Sequence, residues 1–172
     1  MTEVTGRRVV EILLVEDDAG DVLITREAFQ HYKIRNALHV VSDGDRALQF
    51  MRRKGDYSAA PRPDLVLLDL NLPRRNGHEV LAELKSDPDL RVIPVVVLTT
   101  SQADEDILRS YSLHANAYVS KPVEADSFMS AVRQIDQFFG SVAELPRLPA
   151  VACADSGCRC PADGEPVQRI AE

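Results

Sequence analysis

The sequence predicts an α/β domain in which five parallel strands alternate with five helices, a (βα)5 order. Two observations carry that prediction. From about Glu11 to Gly140, short apolar runs alternate with stretches of helical periodicity, the pattern of βα units built around a parallel sheet. Four of the runs also end in a charged or hydroxyl side chain: Ile12-Leu13-Leu14-Val15 in Glu16-Asp17-Asp18, Leu65-Val66-Leu67-Leu68 in Asp69, Val95-Val96-Val97-Leu98 in Thr99, and Ala117-Tyr118-Val119-Ser120 in Lys121-Pro122. If these are parallel strands of one sheet, the groups meet at its carboxyl edge, where open α/β sheets bind ligands.

Strands are expected near 11–15, 37–41, 64–69, 94–99 and 116–120. Gly20-Asp21 opens a first helix through Val22 to Phe29, and Leu48 and Met51 with Ala47 mark the apolar side of a second. Asn76-Gly77 opens the third, whose stripe is Val80, Leu81 and Leu84. Ile107, Leu108 and Tyr111 give the fourth the one-sided spacing of a surface helix. Phe128, Val132, Ile135 and Phe139 form the continuous stripe of the fifth. Gly55 and Gly140 read as helix stops, and 55–63, with its Pro61-Arg62-Pro63, as a surface loop.

The expected division is an extension over 1–10, one domain over 11–140, and a carboxyl-terminal extension over 141–172. Four prolines punctuate that extension, while Val142, Leu145, Leu148 and Val151 recur every third residue; an extended arm lying on this molecule or on a second copy, and a mobile tail, both fit. Cys153, Cys158 and Cys160 all lie there. Without a nearby histidine they do not complete a usual tetrahedral zinc set, and reduced thiols are expected.

The 172 residues suffice for one domain with a real core. A formal charge of −7 disfavours non-specific attraction to a nucleic-acid backbone. No apolar run approaches the roughly 20 residues that span a bilayer, and Met1 to Glu11 is polar rather than signal-like, so a cytoplasmic protein is expected.

Glu16, Asp17 and Asp69 brought together would repel one another and raise a carboxylate pKa unless a cation offsets them. Oxygen ligands with room for water suit Mg2+. In that setting Asp69 can attack phosphorus to form an aspartyl phosphate, the ion neutralising charge on the transferring group. Lys121 would add a compact positive charge on a phosphate oxygen, and Thr99 a short hydroxyl donor. Taken singly, each has a plainer explanation: Asp17 or Asp18 as a helix cap, Thr99 as a turn residue, Lys121 as a solvated cation. Capping accounts neither for the lysine nor for convergence on one sheet edge.

The segments Ile12 to Asp18, Leu67 to Pro73 with Asn76-Gly77, Val97 to Thr100 and Tyr118 to Pro122 resemble the receiver domain of two-component response regulators. Order and spacing both match, with Thr99 30 residues after Asp69 and Lys121 52 after it. The resemblance implies a flavodoxin-like sheet of order 2-1-3-4-5. It further implies that Asp69 is the phosphoacceptor, that Glu16 and Asp17 hold Mg2+, Asp17 directly, and that the Asn71 main-chain carbonyl completes the protein ligands. Tyr118 takes the place of an aromatic that swings inward as Thr99 moves, and a cis bond is implied before Pro122. Pro61 to Leu65, Leu70 to Gly77, Val80 to Lys85 and Val97 to Ser101 are similar to the stand-alone regulators paired with phytochrome-type histidine kinases. That subgroup implies a bacteriophytochrome kinase as partner and a homodimer.

Three rival classes are weaker. A Mg-dependent aspartyl-phosphate hydrolase of another family would often carry an acid two residues after the nucleophile, where Asn71 stands. A DNA-binding regulator would need a further core, for which roughly 32 residues after Gly140 are too few. A phosphate-independent interaction module would have no use for the complete set of acids, hydroxyl and lysine.

Overall fold

A computed structural model describes residues 9–31 and 36–146. The strands are β1 (Val10–Val15), β2 (Asn36–Val41), β3 (Leu65–Leu68), β4 (Val95–Thr99) and β5 (Ala117–Ser120). Between and after them lie α1 (Ala19–His31), α2 (Gly44–Arg52), α3 (Gly77–Ser86), α4 (Asp104–Ser112) and α5 (Ala125–Gln137). All pairings are parallel, in the order β2-β1-β3-β4-β5. This is the flavodoxin-like receiver arrangement that the motifs implied.

Strand alternation divides the core in two. Leu13, Val15, Val66, Leu68, Val95 and Val97 face α2 and α3, meeting Ala47, Leu48, Met51, Val80, Leu81 and Leu84. Ile12, Leu14, Leu65, Leu67, Val96 and Leu98 face the other way, onto Ala28 and Phe29 of α1 and Phe128, Val132 and Ile135 of α5. Successive side chains of a strand point to opposite faces. A strand covered on both faces must therefore be apolar throughout, which is why β3 and β4 read as unbroken runs.

Helix α3 begins with a reciprocal cap. The Asn76 side chain accepts from the Glu79 amide, and the Glu79 carboxylate accepts from the Asn76 amide, together satisfying two of the donors that a helix start leaves free. Gly77 is required here, because a Cβ would collide with the Asp69 carbonyl oxygen and the Leu70 main chain.

Four expectations are corrected. Helix α2 stops at Arg52 with Arg53 in the left-handed region (φ 53°), two residues before the expected Gly55, which instead opens a 3-10 turn over Gly55–Tyr57. Gly140 does not end the last helix; a π-helical turn, Phe138–Val142, runs through it. In α4 the apolar stripe is only partly covered: Ile107 is half-buried, Leu108 is 70% and Tyr111 49% exposed, and the helix fully buries only Ser110. Periodicity shows that a helix has an apolar side, but the neighbours decide whether that side is covered. The bond before Pro122 is not cis, since no cis peptide bond occurs among the described residues. The trans form is the lower-energy isomer of an X–Pro bond, and with it the Lys121 amine already reaches the acids. Leu148, Val151 and the three cysteines lie outside the described residues.

Candidate phosphoacceptor site

The sheet places the site through main-chain hydrogen bonds that continue one residue past each strand. The Glu16 amide donates to the Val41 carbonyl at 3.0 Å, the Asp69 amide to that of Val15 at 3.1 Å, and the Lys121 amide to that of Thr99 at 2.7 Å. Three side chains distant in sequence are thereby fixed at one edge.

They converge on the lysine. Lys121 Nζ donates to Glu16 Oε2 at 2.5 Å, to Asp69 Oδ2 at 2.8 Å and to Asp21 Oδ2 at 2.9 Å. An ammonium has three hydrogens, and each has an acceptor. Burial alone would pull the Lys121 pKa down, but the bonds to Asp69, Glu16 and Asp21 outweigh it and raise it, so the ammonium stays charged. Burial pushes Glu16 up to about 7, against the pull of Lys121. Asp69 is buried, and its Oδ1 accepts the Asn71 amide at 3.0 Å.

Glu16, Asp17 and Asp69 offer carboxylate oxygens that all lie within 4.8 Å of one another. Glu16 and Asp69 are buried and Asp17 is exposed, so the cluster opens to water on the Asp17 side. With Asp21, four carboxylates gather about the site against one ammonium, which bonds three of them. That excess negative charge and an oxygen-only donor set fit a hard dication.

The helix-cap alternative belongs to Asp18, whose Oδ1 accepts the Asp21 amide at 2.8 Å. Thr99 is fully buried beside the site, with Asn71 Nδ2 3.5 Å and the Ser101 amide 3.4 Å from its hydroxyl. The Tyr118 hydroxyl donates to the Ser101 carbonyl at 3.0 Å, and the ring packs beside the α2–α3 core. Its phenol is raised by burial. Asp21 is the residue that sequence reasoning missed. It opens a helix like any acid in a first turn, and only the lysine from β5 gives it another part.

Residues 12–133 match the sequence profile of the response regulator receiver domain. The chain belongs to this receiver family. The response regulator Rcp1 of Synechocystis sp. is 44% identical to it over 135 residues, covering 78% of this chain and 92% of Rcp1. The crystal structure of Mn(2+)-bound Rcp1 superposes with a TM-score of 0.78 at 43% identity, over 80% of this receiver and 99% of that chain. The phosphorylated cyanobacterial phytochrome response regulator RcpA has a TM-score of 0.79 at 44% identity, over 81% and 100%. The bacteriophytochrome response regulator RtBRR has 0.65 at 44%, over 81% and 85%. This receiver is therefore a two-component signalling protein, and its acid cluster suits a divalent metal. No helix among its described residues is long and apolar enough to cross a membrane.

Proposed function

We propose that Asp69 accepts a phosphoryl group from the phosphohistidine of a phytochrome-type histidine kinase. A carboxylate oxygen of Asp69 forms the new bond to phosphorus as the bond from phosphorus to the imidazole nitrogen breaks, and the imidazole leaves. The observation that carries this reading is the placement of Asp69: a buried carboxylate held between the Lys121 ammonium and the Asn71 amide, within the acid cluster. Mg2+ would be held by Glu16, Asp17, Asp69 and the Asn71 main-chain carbonyl, where it supplies charge neutralisation at the transferred group. Lys121 would move with a phosphate oxygen, and Thr99 would turn its hydroxyl toward the same group.

The phosphorylated state is read out by Thr99 and Tyr118. New charge and acceptor oxygens at Asp69 favour one arrangement of the nearby loops and shift a two-state equilibrium. The Tyr118 bond to the Ser101 carbonyl ties the ring to the loop that follows Thr99, which supports the pairing. The surface over about 103–139 would change with it, and the signal passes by protein contact. The protein catalyses only its own modification and the loss of its own phosphate.

The phytochrome partner rests on the likeness to RcpA and RtBRR. The same reading takes 11–140 as the receiver, 1–10 and 141–172 as extensions, a homodimer as the assembly and the cytoplasm as the location.

The test is intact-mass measurement after incubation with Mg2+ and a small phosphodonor. Wild type gains the mass of one phosphoryl group and Asp69→Asn gains none; equal labelling of the two would place the acceptor elsewhere. A structure of the phosphate-mimic form with Thr99 and Tyr118 unmoved would remove the switch.

A further inference from the structure

Helix α4 has an unusual attachment. A surface helix is ordinarily held by an apolar stripe, yet α4 fully buries only Ser110; Ile107 is half-buried, Leu108 is exposed, and Tyr111, itself exposed, accepts the Tyr118 amide on its hydroxyl at 3.2 Å. Its contact with α3 includes a buried polar clasp. His78 of α3, 6% exposed, places Nε2 3.2 Å from Ser110 Oγ and 3.4 Å from the Asp106 carbonyl oxygen.

The direction of these bonds follows from the partners. A carbonyl oxygen only accepts, so Nε2 carries the hydrogen. Ser110 Oγ donates its own hydrogen to the Asp106 carbonyl at 2.7 Å, which leaves its lone pairs to receive from His78. The clasp also connects to the site on both sides. On α3, His78 follows Gly77, which is packed against the Asp69 carbonyl. On α4, the Asp106 carboxylate accepts from Ser101 Oγ at 2.6 Å, and the Ser101 main chain contacts both Thr99 and Tyr118.

We propose that His78 is a positioning residue that fixes the resting place of α4, by donating Nε2–H to Ser110 Oγ and the Asp106 carbonyl. Movement of Thr99 and Tyr118 must then carry α4 against this clasp, a consequence that rests on the switch reading above. The hydrogen bonds of His78 go to Ser110 Oγ and the Asp106 carbonyl rather than to Glu16, Asp17, Asp21 or Asp69, so its loss alters where α4 sits rather than whether Asp69 reacts.

The test is amide hydrogen exchange of residues 104–112 in full-length wild type, His78→Leu, His78→Gln and Ser110→Ala, each with and without phosphorylation by a small phosphodonor and Mg2+. Leucine fills the space without a donor; glutamine restores an N–H at similar reach. In the unphosphorylated protein, His78→Leu is expected to exchange roughly fivefold faster across α4, the scale of one lost hydrogen bond. Ser110→Ala should move the same way, and His78→Gln return toward wild type, with β1 and β3 unchanged throughout. Wild-type exchange in His78→Leu, or glutamine behaving like leucine, would overturn the clasp. If His78→Leu does not fold, Ser110→Ala decides: unaltered α4 exchange rejects the proposal. If wild-type α4 protection does not change on phosphorylation, the switch reading fails while the clasp stands on the unphosphorylated comparison.

Discussion

Lys121 Nζ lies 2.8 Å from Asp69 Oδ2, across 52 residues of sequence, and both groups are buried. There the amine after β5 meets the acid after β3, and the same ammonium also bonds Glu16 and Asp21, offsetting part of their charge. Without it, buried carboxylates would face one another uncompensated.

Lys121→Met should therefore destabilise the metal-free protein by about 3 kcal/mol, the scale of breaking a buried ion pair from one side. Urea unfolding at neutral pH measures it. Added Mg2+ should recover part of the loss in the variant, because it supplies the missing positive charge. A variant as stable as wild type without metal would show that the acids relax or protonate at little cost.

Asp17 is the exposed member of the acid cluster and makes none of the Lys121 contacts. Asp17→Asn is expected to weaken Mg2+ binding at least about tenfold while leaving the unfolding midpoint without metal close to wild type. Calorimetric titration with Mg2+ checks it. Unchanged affinity would remove Asp17 from the ligand set.

Gly77→Ala tests how tightly α3 is seated against Asp69. The added methyl would meet the Asp69 carbonyl and the Leu70 backbone, which belong to the sheet edge and have little freedom. A loss of about 3 kcal/mol is expected, with slower phosphorylation because Asp69 itself is displaced. Denaturant unfolding and the rate of mass gain with a phosphodonor read the two effects.

Asp136 gives the fold a pH dependence away from the site. It is 1% exposed and accepts from Asn36 Nδ2 at 3.0 Å, while its Oδ2 is buried without a partner. Burial raises it from 3.8 to about 6, with the Asn36 bond pulling down. The folded protein thus holds a proton that the unfolded chain releases, so this contribution to stability is complete below about 3.8 and lost as pH rises through about 6. The difference is on the order of 3 kcal/mol. Asp136→Asn cannot titrate, and its stability should fall less than that of wild type between pH 4 and 7. Parallel urea titrations would show it; identical slopes would count against the assignment.

Much of the fold was legible because it rests on short-range patterns. Each strand lies within a residue or so of its apolar run, and the α2, α3 and α5 stripes face the cores as periodicity indicates. The α4 stripe is covered only at Ile107, and the residue this helix buries fully is Ser110, which meets a histidine from α3 that nothing in 104–112 announces. The Pro122 bond was open in the same way, since X–Pro isomers differ by only about 1 kcal/mol and the surroundings choose. Gly140 allowed a stop without enforcing one.

The candidate site divides along the same line. The sequence by itself determined which chemical groups stand at which strand ends, since a residue's type and its place after an apolar run are local properties. Only the tertiary structure decided that the three hydrogens of Lys121 end on Glu16, Asp21 and Asp69, and that Asp18 rather than Asp17 caps α1. Those distances depend on the parallel register of β1, β3, β4 and β5 and on the seating of α1 beside them. Register is the joint outcome of packing both faces of the sheet at once, and no single segment encodes it.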